Sequence, residues 1–161
     1  MFSQVFKETL LLRVFGWTKI PVLGFCSPSV VELNDEKCVV QVPLNWRTKN
    51  HLGSMYFGVL AVGADCAGGL LAMRLIQAQG NKVSLVFKDF KAEFLKRPER
   101  AVHFTSTQGL EVAELLKRAL DSGERENMTV HIVATVPEVS GDEPVARFEL
   151  TLSLKRRASA T

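Results

Sequence analysis

The sequence predicts an α+β fold in which a single antiparallel sheet of about six strands wraps around one long central helix, with two amphipathic helices beside it. Three observations lead to this prediction. Residues 53–79 are almost wholly apolar, as in a buried helix, and Gly80 with Asn81 ends the run. Several shorter segments alternate apolar and polar residues, which is typical of strands that bury one face. A sheet with one apolar face needs a cover, and the apolar helix supplies it.

The elements of the N-terminal half follow from the spacing of apolar residues and from turn residues. Apolar residues recur at helical spacing over residues 2–15, so an amphipathic helix is predicted there, ending at Gly16. Its apolar residues are Phe2, Val5, Phe6, Leu10 and Val14. Residues 17–28 contain Pro and Gly and are predicted as a connection. Residues 29–44 are predicted as two short strands around a turn that begins at Asn34.

The elements after the central helix begin with a long strand at residues 82–95. Its apolar alternation changes phase midway, so a bulge near Lys88 and Asp89 is expected to return both sets of side chains to one face. Residues 101–107 are predicted as another strand. Residues 109–123 have the apolar spacing of an amphipathic helix that ends at a Ser-Gly pair.

The last two strands have the clearest pattern. Residues 128–136 and 145–154 are predicted as a hairpin, because turn-forming residues at 140–143 separate them. In the second strand the side chains expected to face the core are Phe148, Leu150, Leu152 and Leu154, and those expected to face solvent are Arg147, Glu149, Thr151 and Ser153. Such a sheet leaves exposed edges, which a homodimer can pair.

Size and composition limit the class of protein. The chain has 161 residues, of which 47% are hydrophobic and 23% are charged, as in one ordinary globular domain. The predicted organisation is a single domain over residues 1–161, with an N-terminal helix and connection at 1–27, a core at 28–156 and a tail at 157–161. The net charge of +3 is small and the basic residues are dispersed, which argues against nucleic acid as a partner.

Cysteine usage and the long apolar run bear on cofactors and location. Cys26, Cys38 and Cys66 are widely spaced, so neither a disulfide framework nor a metal site is predicted, and no cofactor is expected. Free thiols are typical of a reducing cytosol, which favours a cytoplasmic protein. Residues 52–73 are long enough to span a bilayer, but a central aspartate and five glycines favour a buried core helix and no membrane span.

One acidic residue lies inside the apolar run. Asp65 is the only charged residue between Leu52 and Met73. Burying a carboxylate is unfavourable unless something satisfies or uses it, so Asp65 is a candidate for chemistry, and the alternative is a structural hydrogen-bonding role. Apolar surroundings are expected to raise its pKa, which suits a base that acts near neutral pH.

The residues just before Asp65 resemble a known signature. The segment NHLGSMYFGVL at residues 50–60, together with Asp65, resembles the motif of hotdog-fold thioesterases of the phenylacetate-pathway type. That motif has Asn, a Gly two or three residues on, then His-Gly-Gly, and an Asp seven residues after the second Gly. The residues that match in identity and spacing are Asn50, Gly53, Gly58 and Asp65. The whole chain resembles a poorly characterised branch of that superfamily.

This resemblance implies roles for three of the matching residues. Asp65 is the implied general base or nucleophile, and the sequence does not separate these roles. Gly58, near the helix start, is expected to present backbone N–H groups to the thioester oxygen, and the alternative is a packing glycine. Asn50 is expected to orient the water or the thioester, and the alternative is an ordinary helix cap.

Substrate contacts are expected around the same motif. Tyr56 and Phe57 stand where the family has His-Gly, so the substrate pocket is expected to differ there, and Gly53 lies beside them. Arg47 and Arg97, with nearby Lys49, Lys96 and Arg100, are candidates for contacts with the phosphates of coenzyme A, since arginine matches phosphate geometry.

The family resemblance also implies a substrate and an assembly. The expected substrate is an acyl thioester of coenzyme A or of acyl carrier protein. The expected assembly is a homodimer or a dimer of dimers, in which Asp65 of one protomer faces Asn50 and Gly58 of the other. The predicted function is therefore thioester hydrolysis. The alternatives are a non-catalytic acyl-thioester or lipid-binding protein, a dehydratase or hydratase, whose His-Phe-Pro signature is missing here, and an interaction protein without a small ligand.

Overall fold

The computed structural model describes residues 4–158. The elements in chain order are α1 (Gln4–Lys19), α2 (Pro21–Cys26), β1 (Ser29–Leu33), β2 (Cys38–Val42), α3 (Phe57–Ala78), β3 (Val83–Phe94), β4 (Val102–Ser106), α4 (Gly109–Ser122), β5 (Arg125–Thr135), α5 (Pro137–Ser140) and β6 (Pro144–Arg156). The predicted α+β class, with six strands and one long apolar helix within this range, is confirmed.

The strands form one antiparallel sheet in the order β1-β2-β4-β5-β6-β3. Helix α3 packs against one face of this sheet, where the side chains of Phe104, Phe148 and Leu150 are fully buried. Helix α4 packs beside α3 and also contacts β5 and β6. The strands β1 and β3 are the two edges of the described sheet. The predicted wrapping of a single sheet around the central helix is therefore observed.

The predicted bulge in the long strand is confirmed. The pairing of β3 with β6 shifts register between Phe87 and Phe90, on either side of Lys88 and Asp89. The side-chain Oδ1 of Asp89 accepts a hydrogen bond from the backbone N–H of Thr151 at 3.2 Å, so the bulge is joined to the neighbouring strand. The extra residue returns both sets of apolar side chains to the face that covers α3.

The alternation predicted for β6 is correct apart from one residue. Phe148, Leu150 and their apolar neighbours on β6 are buried. Ser153 was expected to face solvent, but it is fully buried. Its hydroxyl accepts a hydrogen bond from Arg125 Nη1 at 3.0 Å, so the long arginine side chain covers this part of the outer sheet surface.

The N-terminal helix does not end where the sequence predicts. Helix α1 continues through Gly16 to Lys19, and α2 occupies part of the predicted connection. A Cβ atom at Gly16 would lie only 2.7 Å from the backbone nitrogen of Gly24, so this glycine allows the two helices to pack closely. The predicted helix end was wrong because Gly16 serves helix packing and does not terminate the helix.

The apolar face predicted for α1 is also not buried as expected. Phe6, Leu10 and Val14 are exposed, as is Val5, whereas Leu12 is buried. Phe2, which was assigned to the same face, lies outside the described residues. Helix α1 packs chiefly against α2 and the edge strand β1, so it buries only a narrow row of side chains.

The central helix begins four residues later than predicted, at Phe57 instead of Gly53. The backbone of Gly53 has a positive φ of 82°, which belongs to a turn and not to a helix. The helix ends as predicted, since Gly80 and Asn81 both have positive φ. In length and composition α3 alone among the described helices qualifies as a candidate membrane span, but 56% of its most apolar window is buried inside the protein, as expected of a core helix.

The packing of α3 depends on a glycine that contacts β4. A Cβ atom at Gly63 would overlap the ring of Phe104, which is fully buried. We therefore expect Gly63→Ala to lower the free energy of unfolding by about 1–3 kcal/mol, measured by urea denaturation. The matched control is Gly69→Ala on the same helix, where the nearest atom, in Phe87, is 3.7 Å from the added Cβ. That variant should gain roughly 0.5–1 kcal/mol, and equal effects of the two substitutions would contradict this account.

Candidate active site

The loop that precedes α3 is organised by Asn50. Its side-chain Oδ1 accepts hydrogen bonds from the backbone N–H of Leu52 at 2.9 Å and of Ser54 at 3.2 Å. Its Nδ2 donates to Ser54 Oγ at 3.1 Å, and the N–H of Gly53 donates to its carbonyl oxygen. Asn50 is therefore not the cap of α3, which is preceded by Tyr56. The side chain holds the loop in shape and keeps one amide N–H without a described partner.

The first turn of α3 carries backbone donors that no described group satisfies. Tyr56 is the N-cap residue, and its side chain makes no capping hydrogen bond. The N–H groups of Val59 and Leu60 donate to the carbonyl oxygen of Tyr56, whereas those of Phe57 and Gly58 have no acceptor among residues 4–158. Unpaired N–H groups and the positive end of the helix dipole favour negative charge at this point. The helix start is suited to bind an oxyanion.

Gly58 is packed against an aromatic ring. A Cβ atom at this position would lie 2.5 Å from Cε1 of Tyr56, so glycine lets that ring fold over the first turn. The ring centroids of Tyr56 and Phe57 lie 4.8 Å apart, and those of Phe57 and Phe94 lie 6.4 Å apart. Phe90 and Phe94 are 44% and 50% exposed although they are on the inner face of β3, because β3 is an edge strand. Their alternation pattern indicated core residues, and only the sheet order places Phe94 beside the helix start.

Asp65 lies two helical turns further along α3, on its partly exposed face. Its carboxylate is partly buried and forms no hydrogen bond or ion pair with any residue in the described part of the chain. Burial raises the pKa of Asp65 above the ordinary value of an aspartate, since it removes water from the charged form. The direction of this shift agrees with the expectation from the sequence, and no described residue provides the partner that a structural hydrogen-bonding role would require.

A long apolar groove leads away from Asp65. It has a volume of about 1340 Å³ and is open to solvent along one side. Its walls are α1, the second half of α3 and the first half of β3. Residues of α3 that line it beyond Asp65 include Gly69, Leu70 and Met73. The contribution of α1 could not be identified from the sequence, since the helical pattern there indicated only a face packed against the core.

The predicted site residues fall into two groups within one protomer. Asn50, Gly53, Tyr56, Phe57 and Gly58 form the loop and helix start, whereas Asp65 lies at the groove. Seven residues of helix separate Gly58 from Asp65, which corresponds to roughly 10 Å. The two residues share the partly exposed side of α3, as their spacing predicts. A single protomer does not bring the helix-start donors and the carboxylate to one reacting group.

The basic residues are distributed unequally around the helix start. The backbone N–H of Met55 donates to the carbonyl oxygen of Pro98 at 2.9 Å, which brings the segment containing Arg97 and Arg100 beside the loop. Arg97 is exposed and has no ion-pair partner among the described residues. The guanidinium of Arg47 lies instead over the Phe25 ring, 5.7 Å from its centroid. Lys96 forms an ion pair with Glu143.

No group of three His, Cys, Asp or Glu side chains suited to a metal ion occurs within residues 4–158. The three cysteines are buried and unpaired. Burial raises the pKa of Cys38 to about 12 and that of Cys66 well above its ordinary value. These thiols are therefore protonated at neutral pH and are poor nucleophiles.

The fold is shared with solved structures of thioesterases. A protein from Pseudomonas aeruginosa described as a probable thioesterase has a TM-score of 0.75 at 19% identity, over 92% of this chain and 96% of that one. A thioesterase from Haemophilus influenzae has a TM-score of 0.68 at 15% identity, over 97% and 93% of the two chains. A protein of unknown function from Chlorobaculum tepidum has a TM-score of 0.79 at 12% identity, over 95% of this chain and 97% of that one. These likenesses show that the chain has the hotdog fold.

A family model described as a domain of unknown function, DUF4442, matches residues 9–154. The chain belongs to the DUF4442 family. The predicted hotdog fold and the predicted placement in a poorly characterised family are therefore confirmed. A search of proteins with curated functions finds no match to this DUF4442 chain.

The unpartnered carboxylate of this DUF4442 protein has a consequence for stability. The raised pKa of Asp65 means that the native state binds its proton more tightly than the unfolded state, so wild-type stability falls as the pH rises through this pKa. We expect Asp65→Asn to be more stable than wild type at neutral pH, by about 1 kcal/mol or roughly 2–4 °C in Tm. The difference should vanish at acidic pH, where both side chains are neutral.

The measurement is thermal unfolding of both proteins over a pH series. Asp142→Asn is the matched control, because Asp142 is exposed and has no ion pair or hydrogen bond among the described residues. A gain in Asp65→Asn that is the same at all pH values, or an equal gain in Asp142→Asn, would contradict the proposed burial of an ionised Asp65.

Proposed function

We propose that this protein hydrolyses acyl thioesters. The observation that carries the proposal is the partly buried, unpartnered carboxylate of Asp65 at one end of an apolar groove, in a fold shared with thioesterases. A carboxylate kept in such surroundings without a structural partner is a candidate for acid–base chemistry. An apolar groove beside it suits the hydrocarbon part of an acyl group.

The proposed step uses water and protein groups alone. Asp65 takes a proton from a water molecule, whose oxygen attacks the thioester carbonyl carbon. The carbonyl oxygen becomes negative and accepts hydrogen bonds from the N–H groups of Phe57 and Gly58. The carbonyl group then re-forms as the C–S bond breaks, the protonated Asp65 returns its proton to the leaving thiolate, and the carboxylic acid and the thiol leave. This assignment of Asp65 as the base, and not the nucleophile, leaves the carboxylate unmodified throughout.

The site is proposed to be shared by two protomers. The separation of roughly 10 Å between Gly58 and Asp65 along one helix is too large for both to act on one carbonyl group. In a homodimer the helix start of one protomer, with Asn50 beside it, supplies the oxyanion donors to Asp65 of the other. The edge strand β3 carries exposed Phe90 and Phe94 and is the part of the sheet that we propose for pairing.

The proposed leaving group is coenzyme A or the related arm of an acyl carrier protein. Arg97 and Arg100 lie on the segment beside the helix-start loop and are exposed, so they can reach phosphate oxygens at the protein surface. Arg47 is a weaker candidate, because its guanidinium already contacts the rings of Phe25 and Trp46. Tyr56 and Phe57 are exposed where the acyl or pantetheine part would approach the first turn.

A non-catalytic acyl-thioester-binding protein is the second candidate. It is favoured by the ring of Tyr56, which lies against Gly58 where the related thioesterases have a histidine in their motif. The experiment that separates the two candidates tests whether the purified protein hydrolyses short, long and aryl acyl-CoA substrates. Hydrolysis is measured by the release of free thiol. Turnover of any member supports the hydrolase. Binding without turnover across the panel would replace it with the second candidate.

A further inference from the structure

We propose that the groove between α1 and α3 holds a long, unbranched acyl chain, so that long-chain acyl thioesters are the preferred substrates. This inference rests on the proposed hydrolase function and adds the class of acyl group. The groove begins at Asp65 and continues to Ala78, which is thirteen residues along α3 or roughly 20 Å. A short acyl group would leave most of this apolar surface in contact with water.

The lining of the groove is mainly apolar, although polar residues such as Thr18, Gln77 and Asn81 also contribute to it. Helix α3 contributes Leu70, Met73 and Ile76, strand β3 contributes Leu85 and Phe87, and helix α1 contributes Phe15. Each methylene group of a chain that enters this environment adds to the affinity, because its apolar surface is removed from water. Methionine adapts its shape to a flexible chain. This combination favours a flexible hydrocarbon over a rigid polar group.

Three of the charged residues that line the groove besides Asp65 are paired with one another. Arg74 Nη1 lies 3.5 Å from Glu8 Oε1, and Arg74 Nε lies 3.2 Å from Asp35 Oδ1. These contacts tie α1 and the β1–β2 turn to α3. Lys19 and Arg157 are exposed to solvent. The ion pairs therefore hold α1 in place as a wall, and the carboxylate of Asp65 marks one end of the groove.

The residues of α3 that face the groove are regularly spaced along its length. Asp65, Gly69 and Met73 follow one another at intervals of four residues, so they lie on one side of the helix. Gly69 leaves space directly beyond the carboxylate, since an added Cβ would meet only the Phe87 ring, at 3.7 Å. A larger side chain at Gly69 would close the groove next to Asp65, and one at Met73 would close it about one turn further on.

The test is to shorten the groove at these two positions and measure kcat/KM for butyryl-, octanoyl- and palmitoyl-CoA. Wild type is expected to prefer palmitoyl-CoA. Gly69→Leu should lose at least tenfold on octanoyl- and palmitoyl-CoA while it retains butyryl-CoA activity, which also shows that the variant is folded. Met73→Trp should lose palmitoyl-CoA activity and retain octanoyl-CoA activity. Leu110→Trp is the control, because Leu110 is exposed on α4 and does not line the groove.

An unchanged chain-length profile in both groove variants would overturn the inference, even if the wild type is an active thioesterase. The same conclusion follows if the variants change only the oligomeric state in solution, because the groove would then be a contact between protomers. If Gly69→Leu fails to fold, Met73→Trp decides alone, since Met73 is partly exposed.

A binding measurement separates failure of this inference from failure of the proposed hydrolase function. The probe is a fluorescent long-chain fatty acid bound to Asp65→Asn protein and displaced by butyrate, octanoate or palmitate. If palmitate displaces the probe from Asp65→Asn protein but not from the double variant Asp65→Asn, Met73→Trp, the groove binds the acyl chain. This result would hold whether or not the wild type hydrolyses thioesters. Hydrolysis without any such binding would place the acyl chain elsewhere and overturn the inference.

Discussion

Asp65→Asn is expected to lower kcat/KM for the best acyl-CoA substrate by about 10² or more, the effect of losing an acid–base group. Asparagine has nearly the same shape, so the groove and the packing of α3 should be retained. It cannot take a proton from water. Because the substitution removes a buried charge, the variant should be at least as stable as wild type at neutral pH, so a loss of activity would not reflect unfolding.

The pH dependence of the wild type offers a second measurement of the same residue. The base must be ionised to act, so kcat/KM should rise with pH through the pKa of Asp65 and then level off on this limb. Because burial raises that pKa, the rise should occur at a higher pH than for an ordinary aspartate. Asp142→Asn, at an exposed position, should leave both activity and profile unchanged. Equal activity of wild type and Asp65→Asn would contradict the proposed role of Asp65.

Phe57→Pro is expected to lower kcat by about 10²–10³, because it removes one of the two unpaired N–H groups at the helix start. Proline suits the first position of a helix, where its missing N–H has no intrahelical role. Tyr56, which precedes it, already has φ and ψ of −65° and 137°, a conformation that a following proline favours. The backbone should therefore change little, and the lost donor should dominate the effect.

Phe57→Ala is the matched control for this substitution. It removes the same aromatic side chain, which is 60% exposed, but keeps the backbone N–H. A change in substrate affinity that both variants share would be due to loss of the aromatic side chain. An additional loss of kcat in the proline variant would be due to loss of the backbone N–H donor. If the two variants have equal kcat, the N–H of Phe57 does not stabilise the oxyanion.

The two substitutions together test whether the site is shared between protomers. The Asp65→Asn and Phe57→Pro proteins should each have little activity alone. When both chains are expressed together, a mixed dimer carries one site with an intact carboxylate from one chain and an intact helix start from the other. Random pairing should then restore about a quarter of wild-type activity. No recovery in mixed dimers isolated with two different tags would contradict the shared site.

The strands could be predicted from the sequence because their patterns are local. The alternation in β6 and the phase change in β3 follow from which side chains a pleated strand sends to each face. The phase change by itself is therefore enough to locate the bulge between Phe87 and Phe90. Ser153 was the exception, since no local pattern shows that the guanidinium of Arg125 on a neighbouring strand covers it.

The N-terminal region could not be predicted as well, because its helices are defined by contacts between segments. Gly16 has the local appearance of a helix stop, and only its contact with Gly24 explains why α1 continues. The exposed apolar side chains of α1 show the same limit. Spacing predicts which residues share a face of a helix, but not whether another element is present to cover that face.

For the candidate site, the sequence by itself determined that a single carboxylate, Asp65, lies within an apolar helix seven residues after Gly58, since this depends only on residue identity and helical periodicity. Tertiary structure alone decided the surroundings of both residues. Asn50 forms its hydrogen bonds within its own loop, and the ring of Tyr56 lies against Gly58. Helix α1 lies where it forms a groove beside Asp65. The groove arises from contacts between segments distant in the chain, and the contacts of Asn50 and Tyr56 depend on the conformation of a loop. Helical or strand periodicity specifies neither of these.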